Sequence, residues 1–190
     1  MIVCGSSGPS ASCFSTCISS CLQATVCDIL NEYLPSECQC TVPSPNGAHV
    51  SCSINFLDID TIGMTADIEP CGNPATIGGE ITEADLGINY QWGPYSTGDS
   101  GEEPIPGLSV GIPIVGNAQV EAAYDIEGNA GALTIKLGLD ACIDSIIGKE
   151  CGSDLTSELP IYILQDTFHF DSICGGGDGD VRRADASGFS

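Results

Sequence analysis

Cysteine gives this sequence its most prominent chemistry. The chain of 190 residues contains twelve cysteines, an even number at high density. This usage is typical of extracellular proteins held by disulfide bonds, because the cytosol keeps thiols reduced. We therefore predict a secreted protein whose cysteines are paired. The twelve are Cys4, Cys13, Cys17, Cys21, Cys27, Cys38, Cys40, Cys52, Cys71, Cys142, Cys151 and Cys174.

Zinc binding is the alternative use for clustered cysteines. Zinc sites favour cysteine pairs separated by two residues, with further Cys or His ligands at set spacings. No two cysteines here have that separation, so the pattern favours disulfides, although it does not fix their connectivity. Cys13, Cys17 and Cys21 step by four and would form a row along one side of a helix. Such a row is predicted to bond to other segments rather than within itself.

Histidine is too scarce to suggest hydrolytic catalysis. A catalytic triad needs a nucleophile, a base and an orienting acid, and the two histidines, His49 and His169, both fall on the polar side of predicted strands. No nucleophile-elbow, zinc-protease or phosphate-loop motif stands in its required context. We predict that the protein is not an enzyme. A glycosidase-type pair of carboxylates stays open, but no pair can be singled out among so many acids.

Acidic side chains are the second chemical resource. The chain has 26 Asp and Glu against four Lys and Arg, a formal charge of -22. This balance argues against a nucleic acid partner, and salt or bound divalent cations would offset the self-repulsion. Clustered carboxylates suit calcium. The candidate calcium ligands are Asp58 and Asp60, and Asp178 and Asp180; no other cofactor is predicted.

One helical segment is predicted near the N-terminus, over residues 10–34. Apolar residues recur there at intervals of three and four, and Pro35 ends the run. The recurring residues are Ile18, Leu22, Val26, Ile29 and Tyr33. Residues 35–47 contain proline and Asn-Gly turn signals and are predicted to form a loop.

Apolar and polar residues then alternate with a period of two, which predicts β-strands with one buried face. Six to eight such segments follow residue 49, including two at 75–81 and 108–115, with a hairpin near Asp58–Asp60. Residues 92–107 are rich in Gly and Pro and are predicted to form an acidic loop, and Gly78-Gly79 is interpreted as a turn. The predicted fold is α+β or mainly β: a disulfide-stapled antiparallel sheet or sandwich with an N-terminal helical segment.

The predicted organisation is one domain with two polar ends. Residues 1–9 form a flexible or extended lead, residues 10–174 one disulfide-rich domain that is helical over 10–34 and β-rich over 49–174, and residues 175–190 a Gly-rich tail. The tail is predicted to dock on a neighbouring subunit. Arg182-Arg183, the only dibasic pair, is the candidate docking cation for an acidic neighbour or, alternatively, a processing site.

Few catalytic residue types, many strands and a rigid disulfide framework favour an extracellular structural subunit. We predict a filament or surface-layer type of protein that forms homo-oligomers or polymers, with calcium dependence or O-linked glycans as additional features. The alternative is a secreted carrier of an apolar, lipid-like ligand held under the sheet. A secreted enzyme or inhibitor is disfavoured. No apolar run reaches the roughly 20 residues of a membrane span.

Overall fold

The protein is a β-rich domain of two antiparallel sheets. The computed structural model describes residues 24–58, 60–112, 116–146 and 148–175. The first sheet is a meander in which each strand pairs with the next along the chain. Its strands are β1 (Cys38–Ser44), β2 (Gly47–Phe56), β3 (Asp60–Glu69), β4 (Thr76–Glu83) and β5 (Ile88–Ser96).

The second sheet has the order β10-β8-β7-β6, and β9 pairs with the remaining length of β8. The strands are β6 (Ser100–Ile112), β7 (Gly116–Asn129), β8 (Ala132–Ser145), β9 (Gly148–Cys151) and β10 (Ile161–Phe168). Three short helices accompany the sheets: α1 (Val26–Leu30), α2 (Gly152–Leu155) and α3 (Asp171–Cys174). The predicted class, mainly β with antiparallel sheets, is confirmed. Among the described residues no helix is long and apolar enough to cross a membrane.

Alternation of side chains along the strands builds one core from both sheets. In β2 the even-numbered residues from Ala48 to Phe56 are buried and most odd-numbered ones are exposed. The buried faces of the two sheets contribute to a single hydrophobic cluster. Its largest fully buried side chains include Trp92, Phe56, Phe168 and Phe170. The period of two in the sequence therefore predicted which face of these strands is inside.

The N-terminal helix is shorter than predicted in the described part. Of residues 24–34, only Val26–Leu30 form a helix. Thr25 caps it: its backbone N–H donates to the Asp28 carboxylate at 2.7 Å, and its Oγ1 accepts from the Asp28 N–H at 3.3 Å. The chain then turns over residues 31–34. Residues 10–23, including the row of Cys13, Cys17 and Cys21, lie outside the described residues.

Three stretches predicted as loop or turn are strands instead. Residues 38–44 form β1, residues 92–107 lie largely in β5 and β6, and Gly78-Gly79 lies within β4. The glycines and prolines that suggested loops lie near register shifts, between Ile77 and Gly79 and between Pro104 and Ser109. Bulges at sheet edges accommodate these residues without ending the strand. The hairpin near Asp58–Asp60 is confirmed as the β2–β3 connection.

Candidate functional site: the outer face of the second sheet

Eight of the twelve cysteines form four disulfide bonds. Two bonds join directly paired residues of neighbouring strands, and the other two join a helix to the first sheet. The bonds are Cys27–Cys40, Cys38–Cys52, Cys71–Cys174 and Cys142–Cys151. All the described cysteines are thereby used. Cys4, Cys13, Cys17 and Cys21 lie outside the described residues.

The candidate calcium ligands Asp58 and Asp60 line a hollow at one end of the first sheet. Glu83 and Asp85, which the sequence did not single out, line the same hollow. Some of these carboxylate oxygens already accept hydrogen bonds from the protein. The Asn55 side-chain amide donates to Asp58 Oδ1 at 2.9 Å, and the backbone N–H groups of Asp85 and Leu86 donate to Glu83. Calcium binding at Asp58 and Asp60 stays a prediction; Asp178, Asp180, Arg182 and Arg183 lie outside the described residues.

The two histidines lie far apart in the fold, His49 in the first sheet and His169 just after the last strand of the second. The Nδ1 atom of His49, on the outer face of the first sheet, lies 2.7 Å from Asp67 Oδ1, and both side chains are exposed. His169 follows β10, and its Nδ1 contacts the backbone oxygen of Gly131. Each histidine is therefore a surface residue that contacts a nearby oxygen atom.

The outer face of the second sheet collects the charged side chains that pair with one another. Register places Glu121 opposite Asp140 and Asp125 opposite Lys136. Lys136 and Lys149 are the only Lys or Arg residues within the described ranges, and both lie on this face. In a chain so poor in cations, this is where carboxylates find ammonium partners.

Lys149 is the centre of one such network. Its Nζ lies 3.0 Å from Glu102 Oε2 and also contacts Glu121, a residue only 4% exposed. Burial opposes the charge of Lys149, but the hydrogen bonds to Glu121 and Glu102 prevail and raise the pKa of its ammonium. The network therefore holds Lys149 charged and fixes the Glu102 carboxylate beside Cys151, whose Sγ is 3.2 Å away.

Asp140 is a fully buried carboxylate beside this network. Its oxygens accept from the backbone N–H groups of Ala141 at 2.7 Å and Ser153 at 3.3 Å. The second bond ties the first turn of α2 to strand β8. Asp140 is thus satisfied by backbone donors, as a buried carboxylate must be, and it holds α2 over the sheet.

Two carboxylates and two cysteines near Lys149 lie as close together as metal ligands do, but they lack the donor atoms that a metal needs. Donor atoms of Glu102, Asp140, Cys142 and Cys151 lie within 4.8 Å of one another. The two sulfurs are bonded to each other and offer no thiolate. Two carboxylates remain, fewer than the six to eight oxygen ligands of calcium. The oxidised site is a charge network rather than a metal centre, and its strands lie too far apart in sequence for any motif to reveal it.

A cavity of about 280 Å³ opens beside this network. Ala123, which lines it, lies opposite Gly138 in the β7–β8 pairing, and its small side chain leaves room on the sheet surface. Side chains from β6, β7, β8 and β10 surround it, together with α2. The lining residues are Gly101, Glu102, Ala123, Tyr124, Asp125, Lys136, Ser153, Pro160 and Tyr162.

Comparison with family models, curated proteins and solved structures gave no match for this chain. Its function is therefore argued from its own residues and geometry.

One hydrogen bond between the sheets gives a testable dependence on pH. Tyr90 on β5 donates its hydroxyl proton to the Glu103 carboxylate on β6, and this bond, with burial, raises the pKa of Tyr90 to about 12. Because the ordinary value is about 10, the bond stabilises the fold fully below pH 10 and is lost as the pH rises to 12. We expect Tyr90→Phe to lower the free energy of unfolding by about 1 kcal/mol at pH 8.

Urea denaturation followed by fluorescence of the single tryptophan, Trp92, measures this difference at a series of pH values. The difference in the free energy of unfolding between wild type and Tyr90→Phe should fall to zero between pH 10 and 12. Tyr33→Phe, which alters an exposed ring, is the control. A gap that stays constant over this range would show that the hydroxyl bond is not the cause.

Proposed function

We propose that this protein is an extracellular structural subunit that assembles with copies of itself through a sheet edge. The observation that supports this most directly is the composition of edge strand β10. β10 pairs with β8 on one side, and no strand within the described ranges pairs along its other side. A free edge presents unpaired backbone N–H and C=O groups, which are a template for another strand.

The end strands β1, β5 and β6 carry residues that discourage pairing, and β9, which also pairs only with β8, has just four residues, including Lys149 and Glu150. β1 contains Pro43, β5 contains Pro94, and β6 contains Pro104 and Pro106. Proline removes a backbone donor and is a common means of protecting an edge. β10 has the sequence IYILQDTF, with no proline and a single charge at Asp166. It is the edge best suited to β-strand addition.

A surface cavity lies beside this edge and would receive a side chain of an added strand. Its volume is about 260 Å³. It is bordered by Ile161 and Ile163 of β10, and by Cys38 and Ile54 of the first sheet. Backbone pairing would supply affinity and such a side-chain pocket would supply register, as in other complexes formed by strand addition.

The cysteines outside the described residues support covalent assembly. Cys4, Cys13, Cys17 and Cys21 cannot bond to the eight described cysteines, which are already paired. The spacing of Cys13, Cys17 and Cys21 is unfavourable for bonds within the row if that segment is helical, as the sequence predicts. Bonds between subunits would use these thiols. Extracellular localisation, which the four disulfides favour, would keep them oxidised.

The lipid-carrier alternative has less support. Large side chains such as Phe56, Trp92 and Phe170 fill the core of the domain. The cavity beside β10 is smaller than the roughly 300–1,000 Å³ typical of ligand pockets. Extraction of the native protein with organic solvent tests this alternative, and a stoichiometric lipid would favour it.

Electron microscopy of the native, non-reduced protein tests assembly. We expect filaments or sheets, and their dissolution in EDTA if calcium offsets the charge of -22. Discrete monomers under all conditions would contradict the proposal. Covalent links are tested separately: serine at Cys4, Cys13, Cys17 and Cys21 should abolish the ladder of multimers seen on a non-reducing gel.

Proline substitution tests the role of β10. Successive N–H groups of a strand point to opposite sides, so either Gln165 or Asp166 has its N–H directed away from β8; both side chains are exposed. Of Gln165→Pro and Asp166→Pro, one should disturb the fold and the other should keep native Trp92 fluorescence but prevent assembly. If both Gln165→Pro and Asp166→Pro fold natively and still assemble, β10 is excluded as the contact.

A further inference from the structure

The cavity on the outer face of the second sheet has the features of a small polar binding site. We propose that it binds a single ring of a neutral saccharide. This proposal concerns the face of the sheet rather than its edge and does not require assembly through β10, although Tyr162 of that strand borders both cavities.

The cavity has a small-residue floor and an aromatic wall. Ala123 lies at the floor, and Gly138 is its partner in the β7–β8 pairing. Gly138 admits no side chain, because a Cβ there would lie 2.9 Å from the Cα of Tyr162 and closer still to the Ile161 carbonyl oxygen. The ring of Tyr162, with Pro160, borders one side. An aromatic ring is a suitable apolar surface for the C–H face of a sugar, and its hydroxyl adds a polar tip.

The rim offers both hydrogen-bond donors and acceptors. Lys136 Nζ lies 2.8 Å from Asp125 Oδ2, and the lining carboxylate of Glu102 is held by Lys149, whose Nζ is 3.0 Å away and which is not itself part of the lining. The Asp125 and Glu102 side chains are 28% and 30% exposed, so their remaining lone pairs are open to a ligand. Sugar hydroxyls donate and accept, which matches paired ammonium and carboxylate groups.

Charge selects a neutral ligand over a charged one. An anion would face the carboxylates of Asp125 and Glu102, and the two nearby lysines, Lys136 and Lys149, are already paired with them. An organic cation would have to displace these ammonium groups from their partners. Hydroxyl groups can instead join the existing pairs without breaking them.

The site is held rigidly before any ligand arrives. The Cys142–Cys151 bond fixes β9, which carries Lys149, to β8. The buried Asp140 holds Ser153 of the lining through its backbone N–H. Because these groups are ordered in advance, binding would cost little conformational entropy. The volume, about 280 Å³, lies just below the roughly 300–1,000 Å³ typical of ligand pockets, so it suits no more than one sugar ring.

A glycan array of neutral and acidic oligosaccharides, followed by isothermal titration with the best ligand, tests the proposal. We expect a neutral glycan to bind with a Kd on the order of 1 mM per ring. Tyr162→Ala and Asp125→Asn should each weaken binding about tenfold, which corresponds to the loss of one good contact. Tyr162→Phe should retain most of the affinity because it keeps the ring.

Glu127→Gln is the matched control, because Glu127 is an exposed carboxylate two residues beyond Asp125 on β7 and is not part of the cavity lining. Its affinity should equal that of wild type. All variants are compared only if their Trp92 emission is native. The proposal would be overturned if the folded wild type bound no glycan, or if Tyr162→Ala and Asp125→Asn bound the glycan as well as wild type does. Preferential binding of a cation, spermidine, or of an anion, citrate, would also overturn it. None of these outcomes bears on filament formation, which is measured independently.

Discussion

Replacing Cys71 and Cys174 by serine is expected to lower the free energy of unfolding by about 5 kcal/mol. This disulfide spans a sequence separation of 103 residues. It joins the turn after β3 in the first sheet to α3, which follows the last strand of the second sheet. Loss of the bond frees a long loop in the unfolded chain, and the entropy of that loop opposes folding.

The Cys142–Cys151 bond provides the matched control. It joins two buried cysteines, whereas Cys71 and Cys174 are partly buried, and its sequence separation is nine residues. Serine at both positions should cost about 3 kcal/mol on the same entropic scale. Urea denaturation followed by Trp92 emission gives both values. Equal losses in the two variants would show that local packing, rather than loop length, determines the contribution of each bond.

Gly79→Ala should destabilise the domain by about 3 kcal/mol. A Cβ at Gly79 would lie 2.9 Å from Cζ2 of Trp92 and even closer to the Thr65 carbonyl oxygen. Trp92 is 2% exposed and stacks on Tyr95, which stacks on Tyr124 of the second sheet. Because neither the backbone of β3 nor this packed row of rings can retreat freely, the strain falls on the contact between the sheets.

Gly78→Ala is the neighbouring control. Gly78 occupies the opposite face of β4, where a Cβ would have its nearest contact at 3.2 Å, with Pro94. We expect stability within about 1 kcal/mol of wild type, because a slight adjustment offsets the usual gain from alanine in a strand. Denaturation curves and the Trp92 emission maximum measure both variants. If Gly78→Ala were as unstable as Gly79→Ala, the clash with Trp92 and the β3 backbone would not be the cause of the destabilisation.

Periodicity predicted much of the sheet but not its edges. Ile54 and Phe56 of β2 alternate with polar residues and were recognisable as a buried face. The sequence pattern does not predict β1 or the end of β5, since Pro43, Gly93 and Pro94 are loop formers in most contexts. Only pairing with a neighbouring strand, with bulges to absorb these residues, makes them extended.

The candidate site was beyond the reach of sequence patterns. Glu102, Asp125, Lys136 and Tyr162 come from four different strands. Each resembles an ordinary polar or aromatic residue in its own segment. A sequence reveals acids that are close together in the chain, such as Asp58 and Asp60, whereas the charged groups that form pairs are brought together by register.

By itself, the sequence determined the oxidised, disulfide-bonded character of the protein, its acidity, and the alternation that gives most strands one buried face. These properties depend on composition or on residues one to four positions apart, and local physics acts at that range. Only the tertiary structure decided that Cys71 bonds to Cys174 and that Lys149 pairs with Glu102. Both depend on strand order and register, which arise when the two sheets bury their apolar faces together.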